Sequence, residues 1–155
     1  MASPLVPGDH RIRTATPADY DPIVTVMDGW WGRTVSPVLP RLFLQHFHET
    51  SFVAEDASGL TGFLVAFVSP ASSQDAYIHF AGVRPERRGQ GLARALYATF
   101  LDLARARGCT RVRAITPPRN QDSVRFHRAL GFDVSEPQAD YHGPGQDRIV
   151  FTRRI

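Results

Sequence analysis

Apolar residues recur along this chain with two different periods, one typical of strands and the other typical of helices. The strand-like segments are HRIRTAT, SFVAED, LTGFLVAFVSP, AYIHFAGV, CTRVRAIT, FDVSEP and QDRIVFTRRI. Apolar residues at helical intervals surround Ile23, Leu42, Leu96 and Phe126. The predicted order of elements is β-α-α-β-β-β-α-β-α-β-β, which indicates an α/β fold with a mixed sheet (α+β mixed sheet).

The middle of the chain predicts a crossover unit made of strand 76–83, helix 90–107 and strand 109–116. A helix that connects two strands of one sheet usually implies that the strands are parallel. Gly108 is expected to end this helix as a C-cap, and Asn120 is expected to cap the helix that follows the unit.

Size and composition favour one compact domain. The chain has 155 residues, of which 43% are hydrophobic, and no linker, repeat or low-complexity tract divides it. We expect a single domain over 1–155 with a loose N-terminal extension over 1–9. The formal net charge is only +3, whereas a nucleic-acid-binding domain more often has a concentrated basic face. No nucleic-acid partner is therefore expected.

Cysteine usage and hydropathy bear on the compartment. Cys109 is the only cysteine, which excludes an internal disulfide and a cysteine-based metal site, so no metal is expected. The opening residues MASPLVPGDH lack the charged and apolar parts of a signal peptide. No stretch approaches the roughly 20 apolar residues that cross a bilayer. These features predict a cytoplasmic protein without a membrane partner.

The segment RRGQGLA joins the first crossover strand to its helix. It begins with two arginines, has glycine at 89 and 91, and leads into a helix whose first N–H groups are unpaired. This arrangement suits a phosphate, although a solvated arginine-rich turn is the plainer alternative. A dinucleotide fingerprint would need glycine where Arg94 stands, and a P-loop would need a lysine, which the chain lacks.

The same segment fills the pattern [RQ]-x-x-G-x-[GA] and follows the tripeptide VRP. Together with the later NQDSVRFHRALGF, it resembles the GNAT superfamily of acyl-CoA N-acyltransferases from about His10 to Ile155. The resemblance implies a GNAT fold, acetyl-CoA as the acyl donor, and direct attack of an amine on the thioester without an acyl-enzyme.

The resemblance also implies which residues contact coenzyme A. The main chain of Ala81, Gly82 and Val83 would hold the pantetheine arm. The pyrophosphate would lie on the segment Arg88, Gly89, Gln90, Gly91, Leu92, Ala93 and Arg94. The last helix would contribute Asn120, Ser123 and Phe126, although Asn120 also suits a simple helix cap. Positions 120 and 123 share one helical stripe with 127.

Four residues are candidates for proton transfer, one of them secondary. His127 stands where similar enzymes have a tyrosine acid, and it either serves the leaving sulfur or lines the coenzyme channel. His79 is the candidate base, since the central strand has no carboxylate; the alternative is a core or coenzyme-side histidine. Tyr77 shares its strand face because side chains alternate. Glu55 is a secondary candidate base.

The acceptor is expected to be a small-molecule amine or a peptide. Trp30 and Trp31 with Arg33 would form part of its pocket, and Glu55 and Tyr141 are further candidates; at least one tryptophan also suits the core. Two other functions remain open: a catalytically weak acyl-CoA-binding or sensing module, and, less well supported, a nucleic-acid-binding domain. Exposed strands near the C-terminus are compatible with a homodimer.

Overall fold

In a computed structural model of the protein, the backbone is described for residues 5–6 and 9–155, and side chains from residue 9 onward. The strands are β1 (Leu5–Val6), β2 (His10–Thr14), β3 (Phe52–Asp56), β4 (Gly59–Val68), β5 (Asp75–Val83), β6 (Arg111–Thr116), β7 (Asp133–Val134) and β8 (Ile149–Arg154). The helices are α1 (Tyr20–Trp31), α2 (Leu42–His46), α3 (Leu92–Ala106) and α4 (Gln121–Ala129). The predicted mixed α/β fold is confirmed.

The chain forms two compact units. The first comprises the chain up to Phe67 together with His79–Leu103, and the second comprises Val68–Ile78 together with Ala104–Ile155. The prediction that 1–155 is one domain stays a prediction.

The first unit contains the antiparallel series β1-β2-β3-β4. Strand β1 lies within the extension that was expected to be loose, and it pairs with β2 through Leu5 opposite Arg11. Two residues suffice to add a short edge strand and carry little sequence signal, and the expectation of a loose extension over 1–9 stays a prediction.

Helix α1 covers one side of the core of this unit. The Asp19 carboxylate accepts a 2.7 Å hydrogen bond from the main-chain N–H of Thr16, which fixes the entry into the helix. Ile23 and Met27, one helical turn apart, are buried at 1% and 0% exposure. The helix ends at Gly32, whose φ of 67° is left-handed.

The second predicted helix is shorter than expected. Proline at 37 and 40 leaves a 3₁₀ turn at Ser36–Val38, and the α-helix is confined to Leu42–His46. Leu39 lies outside the helix but is fully buried in the core.

Helix α3 packs closely on β4 because Gly62 has no side chain. A Cβ at Gly62 would lie 3.2 Å from Leu92 and 3.3 Å from Leu96. The approach positions the start of α3, the element on which the phosphate prediction depends.

The second unit is a mixed sheet covered by α4. Strands β5 and β6 are parallel, with Asp75–Tyr77 opposite Arg111–Arg113, as the crossover predicted. Strand β8 pairs antiparallel with β6 and β7. The side-chain oxygen Oδ1 of Asn120 accepts a 3.3 Å hydrogen bond from the Ser123 N–H, so the predicted cap of α4 is confirmed.

Candidate active site

The turn between β5 and α3 has the backbone that an anion site requires. Gly89 and Gly91 have φ values of 79° and 81°, in the left-handed region. A Cβ built on either glycine would have no heavy atom within 4 Å, so the space in front of the turn is open. Leu92 then begins a 15-residue helix, whose first N–H groups have no acceptor inside the helix. The turn therefore offers main-chain donors to an anion.

Most guanidinium groups beside this turn already bind the protein. Arg88 donates from Nη2 to the Trp30 carbonyl at 2.8 Å and from Nε to the Val83 carbonyl at 3.2 Å. Arg87 forms an ion pair with Asp56 at 2.6 Å. These side chains hold the turn in place, and a direct phosphate contact by Arg88 stays a prediction.

Arg94 differs from the two arginines that precede it in the turn. It is exposed on α3 and makes no hydrogen bond or ion pair with any other residue that the structure describes. Its charge is thus available to a ligand approaching the start of the helix.

Gly82 allows the end of β5 to pass beneath Trp31. A Cβ at Gly82 would lie only 2.3 Å from Trp31 Cη2. Trp30 and Trp31 both pack against Phe63, with ring centroids 6.0 and 6.3 Å apart. Both predicted acceptor tryptophans thus contribute to the core, and a role in binding the acceptor stays a prediction for either.

His79 is held by one hydrogen bond and one ring contact. Its Nε2 lies 2.7 Å from the Val38 carbonyl, so Nε2 carries the proton. Its ring stacks on Phe43 with centroids 4.0 Å apart and an interplanar angle of 6°. Burial lowers the pKa of His79, and the hydrogen bond to Val38 opposes that effect. The neutral ring therefore has its lone pair on Nδ1, as a base requires.

The other charged candidates of this unit have different surroundings. Glu55 accepts a 3.0 Å hydrogen bond from Arg13 Nε, and Arg13 also pairs with Asp19 at 2.8 Å. Glu55 is therefore part of a structural ion-pair cluster, and its predicted acceptor role stays a prediction. Arg33 is exposed just after α1.

In the second unit, His127 is a buried ring on the inner side of α4. Its exposure is 5%, and it stacks on Phe151 with centroids 3.9 Å apart. Nδ1 lies 2.7 Å from the Ser123 carbonyl, so Nδ1 carries the proton. Burial lowers the pKa of His127, opposed by the hydrogen bond to Ser123. These contacts favour a neutral ring near pH 7.

The same unit contains a pocket of about 370 Å³, a volume typical of small-molecule sites. Its polar lining consists mainly of Tyr77, Arg113, Asp133, Ser135, Gln138 and Tyr141. The pocket joins two predicted residues, Tyr77 and Tyr141, with charged residues that were not predicted.

Tyr77 and Tyr141 contribute phenol groups to the pocket. Burial, with a smaller contribution from Tyr141, raises the pKa of Tyr77 to about 12. The Tyr77 hydroxyl thus stays protonated at neutral pH, where it can donate a hydrogen bond but cannot serve as a base. Tyr141 is 46% exposed, at the tip of the loop before β8.

Arg113 and Asp133 were missed by sequence reasoning. Arg113 lies on β6 in register with Tyr77 on one side and Thr152 on the other, and Asp133 is the next partner of Thr152. A signal was present in RVRAIT, because Arg113 alternates with buried Val112 and Ala114. Arg113 is exposed on an interior strand and lines the pocket, so it is a candidate site residue.

Within residues 9–155, no three His, Cys, Asp or Glu side chains are grouped so as to hold a metal ion. In the same described part, no helix has the length and apolar character needed to cross a membrane.

The model of the acetyltransferase (GNAT) family matches residues 20–132. An aminoglycoside N(6')-acetyltransferase type 1 of Serratia marcescens is 32% identical over 124 residues, covering 74% of this chain and 75% of that protein. An L-2,4-diaminobutyric acid acetyltransferase of Halalkalibacterium halodurans is 28% identical over 159 residues, covering 90% and 84%.

Solved structures show the same fold. The phosphinothricin acetyltransferase of Sinorhizobium meliloti, solved in complex with acetyl-CoA, superposes with a TM-score of 0.75 at 21% identity, covering 94% of this chain and 88% of that one. The family match, the relatives and this fold agree with the glycine turn that leads into α3. The chain belongs to the GNAT acetyltransferase family.

Proposed function

We propose that this acetyltransferase moves the acetyl group of acetyl-CoA to the amine of a small acceptor. The observation that carries the proposal is the turn at Gly89 and Gly91, with left-handed backbone, open space in front of it and a long helix behind it. The relatives named for an aminoglycoside and for a diamino acid support a small amine as the acceptor.

The turn fits the pyrophosphate of coenzyme A. Main-chain N–H groups from Gly89 to Ala93 would bind it, aided by the positive end of α3. Arg94, exposed on the same helix, would add a charge that salt can screen. Bound acetyl-CoA supplies the acetyl group as a thioester.

Further contacts with the coenzyme are proposed. Strand β5 continues to Val83, beyond Tyr77, the last residue of its register with β6. The main chain of Ala81–Val83 would hold the pantetheine arm. Asn120, Ser123 and Phe126 would contact the coenzyme from the start of α4.

His79 is the proposed base. An attacking amine must lose a proton, and a neutral His79 has the lone pair of Nδ1 to receive it. The hydrogen bond from Nε2 to Val38 and the stacking on Phe43 fix the ring plane. Burial keeps the ring neutral near pH 7 because it lowers the pKa.

The proposed acid role of His127 has a direct test. A neutral His127 has its one N–H committed to Ser123, so protonation of the leaving sulfur would require the imidazolium form, which burial disfavours. If His127→Phe loses turnover while acetyl-CoA still saturates the enzyme, the acid role is supported. If turnover is unchanged, His127 serves packing, and the protonated Tyr77 hydroxyl becomes the candidate donor.

The proposed function is tested by thiol release. Purified protein is incubated with acetyl-CoA and a panel of amines, amino acids and peptides, and free coenzyme A is measured. Release that depends on both protein and amine, together with an acetylated product by mass spectrometry, supports the proposal. Saturable acetyl-CoA binding without release from any amine would favour the sensing module instead.

A further inference from the structure

Arg113 is a cation that lines the pocket in the second unit, and within the described residues it attracts Asp75 through space without a hydrogen bond to it. Its neighbour Arg111 donates from Nε and Nη2 to Asp75 at 2.7 and 2.9 Å. Arg113, two residues later on the same strand, is exposed and makes no hydrogen bond or ion pair with the residues that the structure describes. One arginine of β6 therefore stabilises the sheet, while the other faces the pocket.

The strand register places a second, opposite charge on the same pocket. Tyr77, Arg113, Thr152 and Asp133 follow one another across β5, β6, β8 and β7. Neighbouring strands lie about 4.8 Å apart, so two steps separate the Arg113 and Asp133 backbones by roughly 10 Å. Asp133 is exposed and has no ion-pair partner in the described part of the chain. The pocket thus offers one positive and one negative group, separated by the neutral Thr152.

The loop that carries Tyr141 is braced by its own hydrogen bonds. The Asp140 carboxylate accepts from the Gly145 N–H at 2.7 Å, and Asp147 accepts from the Asp140 N–H at 2.9 Å. Asp140 has a left-handed φ of 56°. A braced loop can hold Tyr141 at the pocket at little entropic cost to binding.

We propose that this pocket binds the acceptor, and that the acceptor is an amino acid whose carboxylate pairs with Arg113. Guanidinium and carboxylate match in geometry, since two parallel N–H groups can donate to two oxygens. Asp133 supplies the complementary charge for a second amine of the same molecule, which stays protonated while the attacking amine is neutral. The proposal rests on the proposed acetyl transfer and names its substrate class.

The same charges argue against a polycationic acceptor. Such a molecule gains most from several carboxylates, and Arg113 would repel it. An amino acid with a second, protonated amine satisfies both charges at once and keeps a neutral amine for attack. The pocket volume of about 370 Å³ accommodates an amino acid.

The test compares paired acceptors in matched variants. The standard amino acids and 2,4-diaminobutyric acid are assayed by thiol release, each beside its carboxamide, and an aminoglycoside is included. The proteins are the wild type, Arg113→Gln, Arg113→Lys and the control Arg107→Gln. Arg107 is exposed after α3 and does not line the pocket. Acetyl-CoA binding is measured on every variant.

The expected result is a preference for the best acid over its amide by about tenfold to a hundredfold in kcat/KM. Arg113→Gln abolishes that preference, mainly through KM, Arg113→Lys restores part of it, and Arg107→Gln keeps it. Asp133→Asn lowers kcat/KM for acids that carry a second amine.

Three results would overturn the inference and leave acetyl transfer standing. They are equal rates with acid and amide, a preference for the aminoglycoside, and an unchanged acid preference in Arg113→Gln. If acetyl-CoA binds but no amine releases thiol, the proposed function fails, and this substrate class fails with it.

Discussion

The His127 ring lies flat on Phe151, with centroids 3.9 Å apart and planes within 7° of each other. A histidine in this contact behaves as an aromatic core residue, with the Nδ1 hydrogen bonded to Ser123. The contact explains why a polar residue can be buried on the inner side of α4.

This contact predicts a pH-dependent stability. Burial lowers the folded-state pKa of His127 below the ordinary value of about 6.5. The unfolded chain therefore binds the proton first, and stability present above about pH 6.5 is lost as the pH falls through the folded-state pKa. His127→Phe should lower the free energy of unfolding, measured in urea, by about 1 kcal/mol at pH 8, because the hydrogen bond to Ser123 is lost. The same substitution should lower the free energy of unfolding by less at pH 5.5. An equal cost at both pH values would contradict a buried neutral ring.

His79→Gln tests the proposed base. Burial lowers the pKa of His79. The ascending limb of the wild-type pH–rate profile of kcat should therefore have its midpoint at a pH below the ordinary histidine pKa. Glutamine retains a donor for the Val38 carbonyl and cannot accept the proton. The variant should lose about 10²-fold or more in kcat, with acetyl-CoA affinity unchanged. Retention of the wild-type ascending limb would remove His79 from the mechanism.

Gly82→Ala tests the close approach of Trp31 to β5. The new Cβ would lie 2.3 Å from Trp31 Cη2, and the required shift should destabilise the fold by about 1–3 kcal/mol. Gly29→Ala is the matched control, because a Cβ there meets nothing within 4 Å and alanine favours the helix interior by roughly 0.5–1 kcal/mol. Urea unfolding followed by tryptophan fluorescence compares the two. Equal stabilities would show that Trp31 is not packed on Gly82.

Gly91→Ala tests the phosphate turn, with Gly108→Ala as its control. The two glycines have similar φ values of 81° and 85° and open space around a Cβ, so the backbone strain should be alike. Only the methyl group at 91 would stand in the proposed phosphate site. Gly91→Ala should raise the Kd for acetyl-CoA about tenfold, the loss of one charged hydrogen bond. If Gly91→Ala and Gly108→Ala raise the Kd for acetyl-CoA equally, backbone strain and not a lost phosphate contact explains the effect.

Local signals in the sequence predicted much of the fold. The glycines at 91 and 108 marked the two ends of α3, and Asn120 marked the start of α4, because caps depend on neighbouring residues. Prolines 37 and 40 were a local signal too, and the shortened α2 shows that their effect was underestimated. Strand β1 was missed, since Leu5–Val6 is defined by its pairing with His10 and Arg11.

The candidate site was less predictable, because its contacts join distant parts of the chain. The guanidinium of Arg88 binds the carbonyl of Trp30, a contact that a phosphate motif does not indicate. Arg113 and Asp133 become neighbours on one pocket only through the order β6-β8-β7. Strand order and register had to be known before either residue could be considered together with Tyr77.

The most direct test of the account is an isothermal titration of acetyl-CoA into the folded wild-type protein at low salt. We predict saturable binding at one site per chain, weakened as added salt screens the phosphates. A folded protein that shows no saturable binding of acetyl-CoA would contradict the account.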